Sequence, residues 1–321
     1  MSSSASVSVI LQGGLGNQLF QIFTAIAYAL DNNLPFYFSD KYELQSGSST
    51  VRHTYWKTFL SALTPFLRTS TYKRDLTSLN TTILESFSLN SSQERKVIYI
   101  KEMEFAFNPL PKPYGPITLD KMLFGYFQSA KYFHHHRDHL FQMIKLDDSK
   151  NRLLEKYPQY RNLSNTISLH FRLGDYKKLQ DFHPILPKEY YLNALLYLKK
   201  SLSILNTNDN NFNFAGYRII YFCEEEDTME VMKITHFLRK HFDDTFIFEQ
   251  VDNNLDDWEQ MVLMSLCQHN VIANSTFSWW GAYFNNNPNK IICYPEIWFG
   301  KRARHNIKDL FLSDWIMISC V

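Results

Sequence analysis

The pattern of apolar and polar positions gives one clear structural unit early in the chain and several late in it. Residues 7–11 form a short apolar run that reads as a buried strand and leads directly into Gly13-Gly-Leu-Gly16. Across residues 17–32, Leu19, Phe23, Ile26 and Leu30 recur at helical spacing, and residues 35–38 read as a second strand. Strand, glycine turn, helix and strand together open a doubly wound α/β domain. Residues 40–96 are rich in Ser, Thr and Asn and show no clean period.

Beyond residue 160 the alternation becomes regular. Strands are expected at 167–171, 217–222, 245–249, 270–273 and 290–294, with helices at 187–201, 228–241, 257–268 and 277–285. Repeated βα units imply a parallel sheet with ligands at the C-terminal ends of its strands. The polar stretch 145–164 is the natural boundary, giving domains of 1–160 and 161–321. Residues 206–213 read as a polar loop.

Charge narrows the function classes. The 33 Lys+Arg and 32 Asp+Glu leave a net charge of +1, so the chain lacks the broad positive field of a nucleic-acid or membrane-coating protein. An anionic ligand must be held by a few placed groups. The four cysteines have no Cys-x-x-Cys spacing and read as buried free thiols. The N-terminus has no basic segment and no apolar run is long enough to span a bilayer, so a cytoplasmic protein without a membrane span is expected.

Four segments carry candidate chemistry. Gly13-Gly-Leu-Gly-Asn-Gln-Leu-Phe-Gln21 sits at a strand-to-helix turn, where Gly14 and Gly16 let a ligand approach backbone N–H groups and Asn17 and Gln18 add polarity. Asp40 lies where a dinucleotide fold places its ribose-binding acid, so a nicotinamide oxidoreductase is a rival reading, although Leu19 replaces the third glycine. A plain glycine turn is the bland alternative.

His170-Phe-Arg-Leu-Gly-Asp-Tyr176 follows a strand. Its Arg172 could grip a diphosphate, with His170 and Asp175 as polar partners, or Arg172 and Asp175 could simply pair. Asn274-Ser-Thr-Phe-Ser-Trp-Trp-Gly281 lies between a strand and a helix, where Ser275 and Thr276 suit either a cap or a phosphate. Cys223-Glu-Glu-Glu-Asp227 reads as a solvated acidic turn or a ribose or purine acceptor. His134-His-His-Arg-Asp-His139 places His135 and His139 on one helical face without a third ligand, and no metal site is expected. The sequence also contains no Asp-x-Asp.

Taken together, these segments resemble the inverting α-1,2-fucosyltransferases. Residues 13–21, 170–176 and 272–280 match the motifs of that family in order, and Gly125-Tyr-Phe-Gln-Ser129 and residues 183–191 are similar to further family segments. The resemblance covers residues 9–295. It implies a GT-B arrangement of two Rossmann-like domains facing a cleft, a GDP-β-L-fucose donor, a galactose-containing acceptor and no required metal or cofactor.

By position, the resemblance implies that His170 and Arg172 meet the donor and that Asn274, Ser275, Thr276 and Phe277 line its pocket. Glu224 and Glu225 stand in the place of a Ser-Asp-Asp segment, and Gln260 stands where an acid reads guanine, with Glu259 or Asp257 as substitutes for that acid. Arg172, Asp175 and Asn17 are the catalytic candidates, while Gly14, Gly16 and Gln18 belong to the loop that faces the donor. Leu173 replaces the second of two adjacent arginines in the family pattern. A catalytically weakened sugar-nucleotide-binding homologue is therefore a third reading. The sequence leaves the oligomeric state open.

Overall fold

Residues 5–44, 51–69, 84–88, 94–112, 119–205, 217–243 and 245–321 are described by a computed structural model of the chain. They form two α/β units, one of residues 1–148 with 305–312 and the other of residues 149–304 with 313–321. The division between these units falls within the 145–164 stretch, inside the helix Leu146–Lys156, and side chains from this helix and the residue after it bond to later parts of the chain. Lys150 donates to the Phe284 carbonyl, Lys156 to Glu259, and Tyr157 to the Asn254 carbonyl. The expected loop at 206–213 lies outside the described residues.

In the first unit, β1 (Val7–Val9) leads into α1 (Leu15–Asp31). Four short strands follow: β2 (Phe38–Ser39), β3 (Glu43–Leu44), β4 (Arg52–His53) and β5 (Leu67–Arg68), paired as β2 with β5 and β3 with β4. The main sheet adds β6 (Leu84–Ser88), β7 (Glu94–Lys101) and β8 (Asp120–Phe124) in the order β1-β8-β7-β6. β1, β8 and β7 run parallel, and β6 is antiparallel. The strand expected at 35–38 contributes one bridge, Phe36 to Val7, before the chain turns into β2.

α1 is buried on nearly every side from Leu15 to Ala29. An all-round apolar helix needs cover on more than one face. Phe133 supplies part of it, packing edge-on against Phe23 with ring centroids 5.6 Å apart, and α2 (Arg137–Met143) brings Phe141 alongside.

The second unit begins within α3, the Leu146–Lys156 helix, and holds β9 (Thr166–His170), α4 (Lys188–Leu205), β10 (Arg218–Phe222), α5 (Thr228–His241) and β11 (Ile247–Gln250). α6 (Asp257–Leu266), β12 (His269–Val271), α7 (Thr276–Tyr283), β13 (Ile292–Pro295) and β14 (Ile316–Ile318) complete it. All six strands are parallel, in the order β11-β10-β9-β12-β13-β14. Counted from β9, this is the doubly wound order 3-2-1-4-5-6.

Strand side chains Ile167, Leu169, Ile219 and Val271 are fully buried against α4 and α5 residues such as Leu195, Leu198 and Leu238, as a parallel sheet covered by helices requires. Trp279 and Trp280 are wholly buried and serve as core. Gly281 permits the close approach of α7 to α6, since a Cβ there would lie 2.8 Å from Met264 Cβ. Cys267, Cys293 and Cys320 are buried, Cys223 is half-buried, and all four are free thiols. Among the described residues no helix is long and apolar enough to cross a membrane.

Candidate functional site

The second sheet reverses its winding between β9 and β12. From β9 the chain builds outward through β10 and β11, and from β12 it builds the other way through β13 and β14. Helices leaving adjacent strands in opposite directions open a crevice at the strand C-terminal ends, where ligands of such sheets bind. His170 ends β9 there, and Asn274 and Ser275 follow β12. The sequence motifs at 170–176 and 274–281 thus share one edge of one sheet, with the Glu224 loop next along on β10.

Arg172 is the main cation of this edge. Its Nη2 lies 2.6 Å from Asp175 Oδ1, its Nη1 donates to Glu224 Oε1, and its guanidinium sits 5.3 Å from the Tyr176 ring centroid. Burial acts to lower the Arg172 pKa, but Glu224 and Asp175 more than offset it and hold the group charged. Burial pushes the Glu224 carboxyl upward against the attraction of Arg172.

The turn that brings these groups together depends on Gly174. It has φ +24°, its N–H donates to the buried Asp227 carboxylate at 2.6 Å, and a Cβ there would lie 2.3 Å from Glu224 Oε2. Lys177 closes the turn from outside through Asp227 at 2.7 Å.

His170 is buried beside Phe277, with ring centroids 5.6 Å apart. Burial, and then the Arg172 charge, push its pKa down to about 3, so the imidazole is neutral near pH 7. Its Nδ1 is buried without a hydrogen-bond partner. Ser275 is the N-cap of α7 and accepts from the Phe277 N–H at 3.3 Å. A hydroxyl that accepts at a cap still has its own hydrogen to donate. Thr276 and Phe277, both half-buried, form the first turn.

Asn274 is buried and its amide donates to the Pro184 and Trp298 carbonyls, while its own backbone carbonyl receives the Tyr176 hydroxyl. Its side chain therefore ties loops together. Glu225 is exposed on the turn before α5. Gln260 donates to the Leu255 carbonyl. Glu259 is buried, caps α6 reciprocally with Asp256 and bonds Lys156, which makes it scaffold.

The glycine loop lies in the first unit. Gly13 takes φ +76°, Gly14 is the N-cap of α1, and Gly16 is buried in its first turn. Asn17 is half-buried, and its Oδ1 accepts from the Gln128 amide at 3.0 Å. Gln18 is fully buried, with its amide bonded to the Gly13 and His53 carbonyls. Gln18 thus holds the loop through two backbone carbonyls. Gln21 holds the same loop by accepting from the Gln12 N–H. Asp40, the acid behind the nicotinamide reading, accepts from the Thr69 hydroxyl at 2.7 Å.

Sequence reasoning singled out neither Asp227 nor Gln128, because both act through partners remote in the chain. A clue was available in Asp227, an acid at the end of a run beginning at the strand terminus, and in the polar Gln128-Ser129 pair after an aromatic pair.

The chain is 28% identical over 323 residues to the O-antigen biosynthesis glycosyltransferase WbnK of Escherichia coli, covering 95% of this chain and 98% of that protein. It is 25% identical over 319 residues to an Escherichia coli alpha-1,2-colitosyltransferase, covering 96% and 97%. Among solved structures it is similar to a variant of Arabidopsis thaliana FUT1 in complex with GDP, at 12% identity and a TM-score of 0.47 over 90% of this chain and 70% of that one. The profile of glycosyl transferase family 11 matches residues 6–319, which accounts for the glycine loop, the Arg172 turn and the α7 start together and removes the nicotinamide reading. The chain belongs to glycosyl transferase family 11.

Proposed function

We propose that this glycosyltransferase moves L-fucose from GDP-β-L-fucose to the 2-OH of a galactoside, inverting the anomeric centre to give an α-linkage. The observation that carries the reading is Arg172, a charged fork held just beyond the end of β9, at the same sheet edge as the α7 N-terminus. A planar guanidinium and a helix N-terminus suit a diphosphate. The alpha-1,2 linkage that gives the similar colitosyltransferase its name points the same way.

In this mechanism the acceptor hydroxyl oxygen forms a bond to the anomeric carbon as the bond to the β-phosphate breaks, and the hydroxyl proton passes to water. The electron pair departs with GDP. Arg172 and the Ser275–Thr276 helix start stabilise that growing charge, the kind of fixed electrostatic contribution that usually dominates catalysis. Arg172 exchanges part of its present pairing with Asp175 or Glu224 for phosphate oxygens. Asp175, paired with Arg172, orients it. Asn17 cannot act as an ordinary base and positions substrate. Neutral His170 donates or accepts a single hydrogen bond. No step needs a metal.

A panel of sugar nucleotides, read by GDP release with and without galactosides and by linkage analysis of the product, tests this. Release of GDP from GDP-fucose with an α-1,2 product is expected. Transfer only from a colitosyl donor would replace the sugar assignment. Binding of GDP-fucose without turnover would favour the weakened-homologue reading that Leu173 suggests.

A further inference from the structure

The far end of α1 carries an arrangement that glycosyl transfer does not use. Asp31 is the last residue of α1, and no basic residue occupies the helix's final turn. A carboxylate at that position faces the negative end of the helix dipole, which disfavours it. Two imidazoles meet it instead. His135 Nε2 lies 3.0 Å from both Asp31 carboxylate oxygens, and His136 Nε2 lies 2.7 Å from Oδ1.

The three donor atoms lie within 4.8 Å of one another. The three side chains remain open to solvent, with exposures of 43% for Asp31, 50% for His135 and 27% for His136. The local backbone explains the convergence. Residues 134–136 form a tight 3-10 turn ahead of α2, so adjacent histidines project toward the end of α1. The helical face shared by His135 and His139, suggested by their spacing, does not form there, and His139 is not part of the cluster.

We propose that Asp31, His135 and His136 bind a divalent transition cation of the zinc class, with water completing the shell. Two imidazole nitrogens and a carboxylate are the donor set such borderline ions prefer over magnesium or calcium. Ligand atoms at about 2.0–2.2 Å from a tetrahedral ion are roughly 3.3 Å apart, so the two histidine–carboxylate spacings of 3.0 and 2.7 Å need to open by only about 0.3–0.6 Å. Each coordinating Nε2 must present its lone pair, and the ring proton then resides on Nδ1.

The site is separate from the glycine loop. α1 has 17 residues, so its two ends are about 25 Å apart at about 1.5 Å per residue. The ion would join positions 104 and 105 residues apart, and pinning a long loop in the folded state stabilises it against unfolding. Its role is a clip on the first unit.

The test uses untagged full-length chain stripped with a chelator and then dialysed. Zinc is titrated against a chromophoric competitor, cobalt is followed by its visible spectrum, and melting is recorded with and without zinc. One equivalent of zinc, a tetrahedral-type cobalt spectrum and a higher melting temperature are expected. Asp31→Asn, His135→Ala and His136→Ala should each weaken zinc binding at least tenfold, while His139→Ala should leave it unchanged. Asp31→Asn keeps the side-chain volume, so it remains informative if a histidine variant misfolds. Failure of the wild type to bind zinc, or undiminished binding by Asp31→Asn and His135→Ala, overturns the assignment.

Discussion

Arg172 Nη2 sits 2.6 Å from Asp175 Oδ1, three residues further along the chain and on the other side of the Gly174 turn. A carboxylate held this way accepts a charge-assisted bond and is poorly placed to take a proton from an acceptor hydroxyl. In the proposed mechanism its action is to fix the guanidinium plane. Asp175→Asn is therefore expected to lower kcat by about tenfold and to leave the shape of the pH–rate profile unchanged. Loss of a limb of that profile, with a fall of about a thousandfold, would identify Asp175 as the base.

Arg172→Ala is expected to reduce turnover by roughly 10²–10³-fold, the usual cost of removing a main oxyanion donor. Arg172→Lys should recover only part of this, because an ammonium lacks the planar fork. Circular dichroism and melting of both variants should show an intact fold. Near wild-type turnover in Arg172→Ala would sink the phosphate role.

Gly174→Ala tests the turn. The new Cβ would meet the end of the Glu224 side chain, which can swing aside, and would also strain a residue at φ +24°. We expect a loss of about 1–2 kcal/mol in stability from the backbone and a larger, separate fall in kcat as Glu224 leaves Arg172. Parallel urea titration and steady-state kinetics distinguish the two. Unchanged kinetics would show that the Glu224 contact does not position Arg172.

The buried histidines near β9 and β12 and the buried Glu102 beside β7 and β8 should give stability opposite responses to pH. In the second unit burial pushes His170 down to about 3 and His269 down to about 4. Between those values and about 6.5 the unfolded chain holds protons that the folded unit lacks, so stability is complete above 6.5 and is lost as pH falls, by about 1.4 kcal/mol per pH unit for each histidine. In the first unit burial raises Glu102 from 4.5 to about 7, against two backbone N–H donors, from Tyr126 and Phe127. There the folded unit keeps a proton that the unfolded chain has released, and stability falls as pH rises from 4.5 to 7, with a slope of about 1.4 kcal/mol per pH unit. Hydrogen exchange of β9 and of β7–β8, corrected for intrinsic rates, should show the first losing protection and the second gaining it as pH falls from about 6.5 to about 5. Parallel behaviour of the two sheets would contradict these burials.

Several strands were hidden from the periodicity for identifiable reasons. β8 lies in the middle of the first sheet but begins with Asp120 and Lys121, both buried, so it does not read as a core strand. Asp120 Oδ1 accepts from the Ser6 N–H at 2.8 Å and hydroxyl at 2.6 Å, and Lys121 donates to the Leu119 carbonyl, contacts that help charged residues occupy a central strand. β14 is an edge strand in which Met317 is exposed while Ile318 is buried, so no continuous apolar run marks it. β10 was legible because Ile219 to Phe222 form a continuous buried apolar run, as a parallel strand covered on both faces requires.

By itself, the sequence determined the α/β class, the regular second half and the three loops that carry the family resemblance, because local periodicity and turn chemistry are encoded within a few residues. Tertiary structure decided which residues those loops present. The order β11-β10-β9-β12 puts Arg172 and the α7 cap at one sheet edge, Gln18 is turned inward to hold Gly13, and Asp31 meets two histidines more than a hundred positions away. Each of these outcomes depends on pairing between distant segments, and no local pattern records which segments will meet.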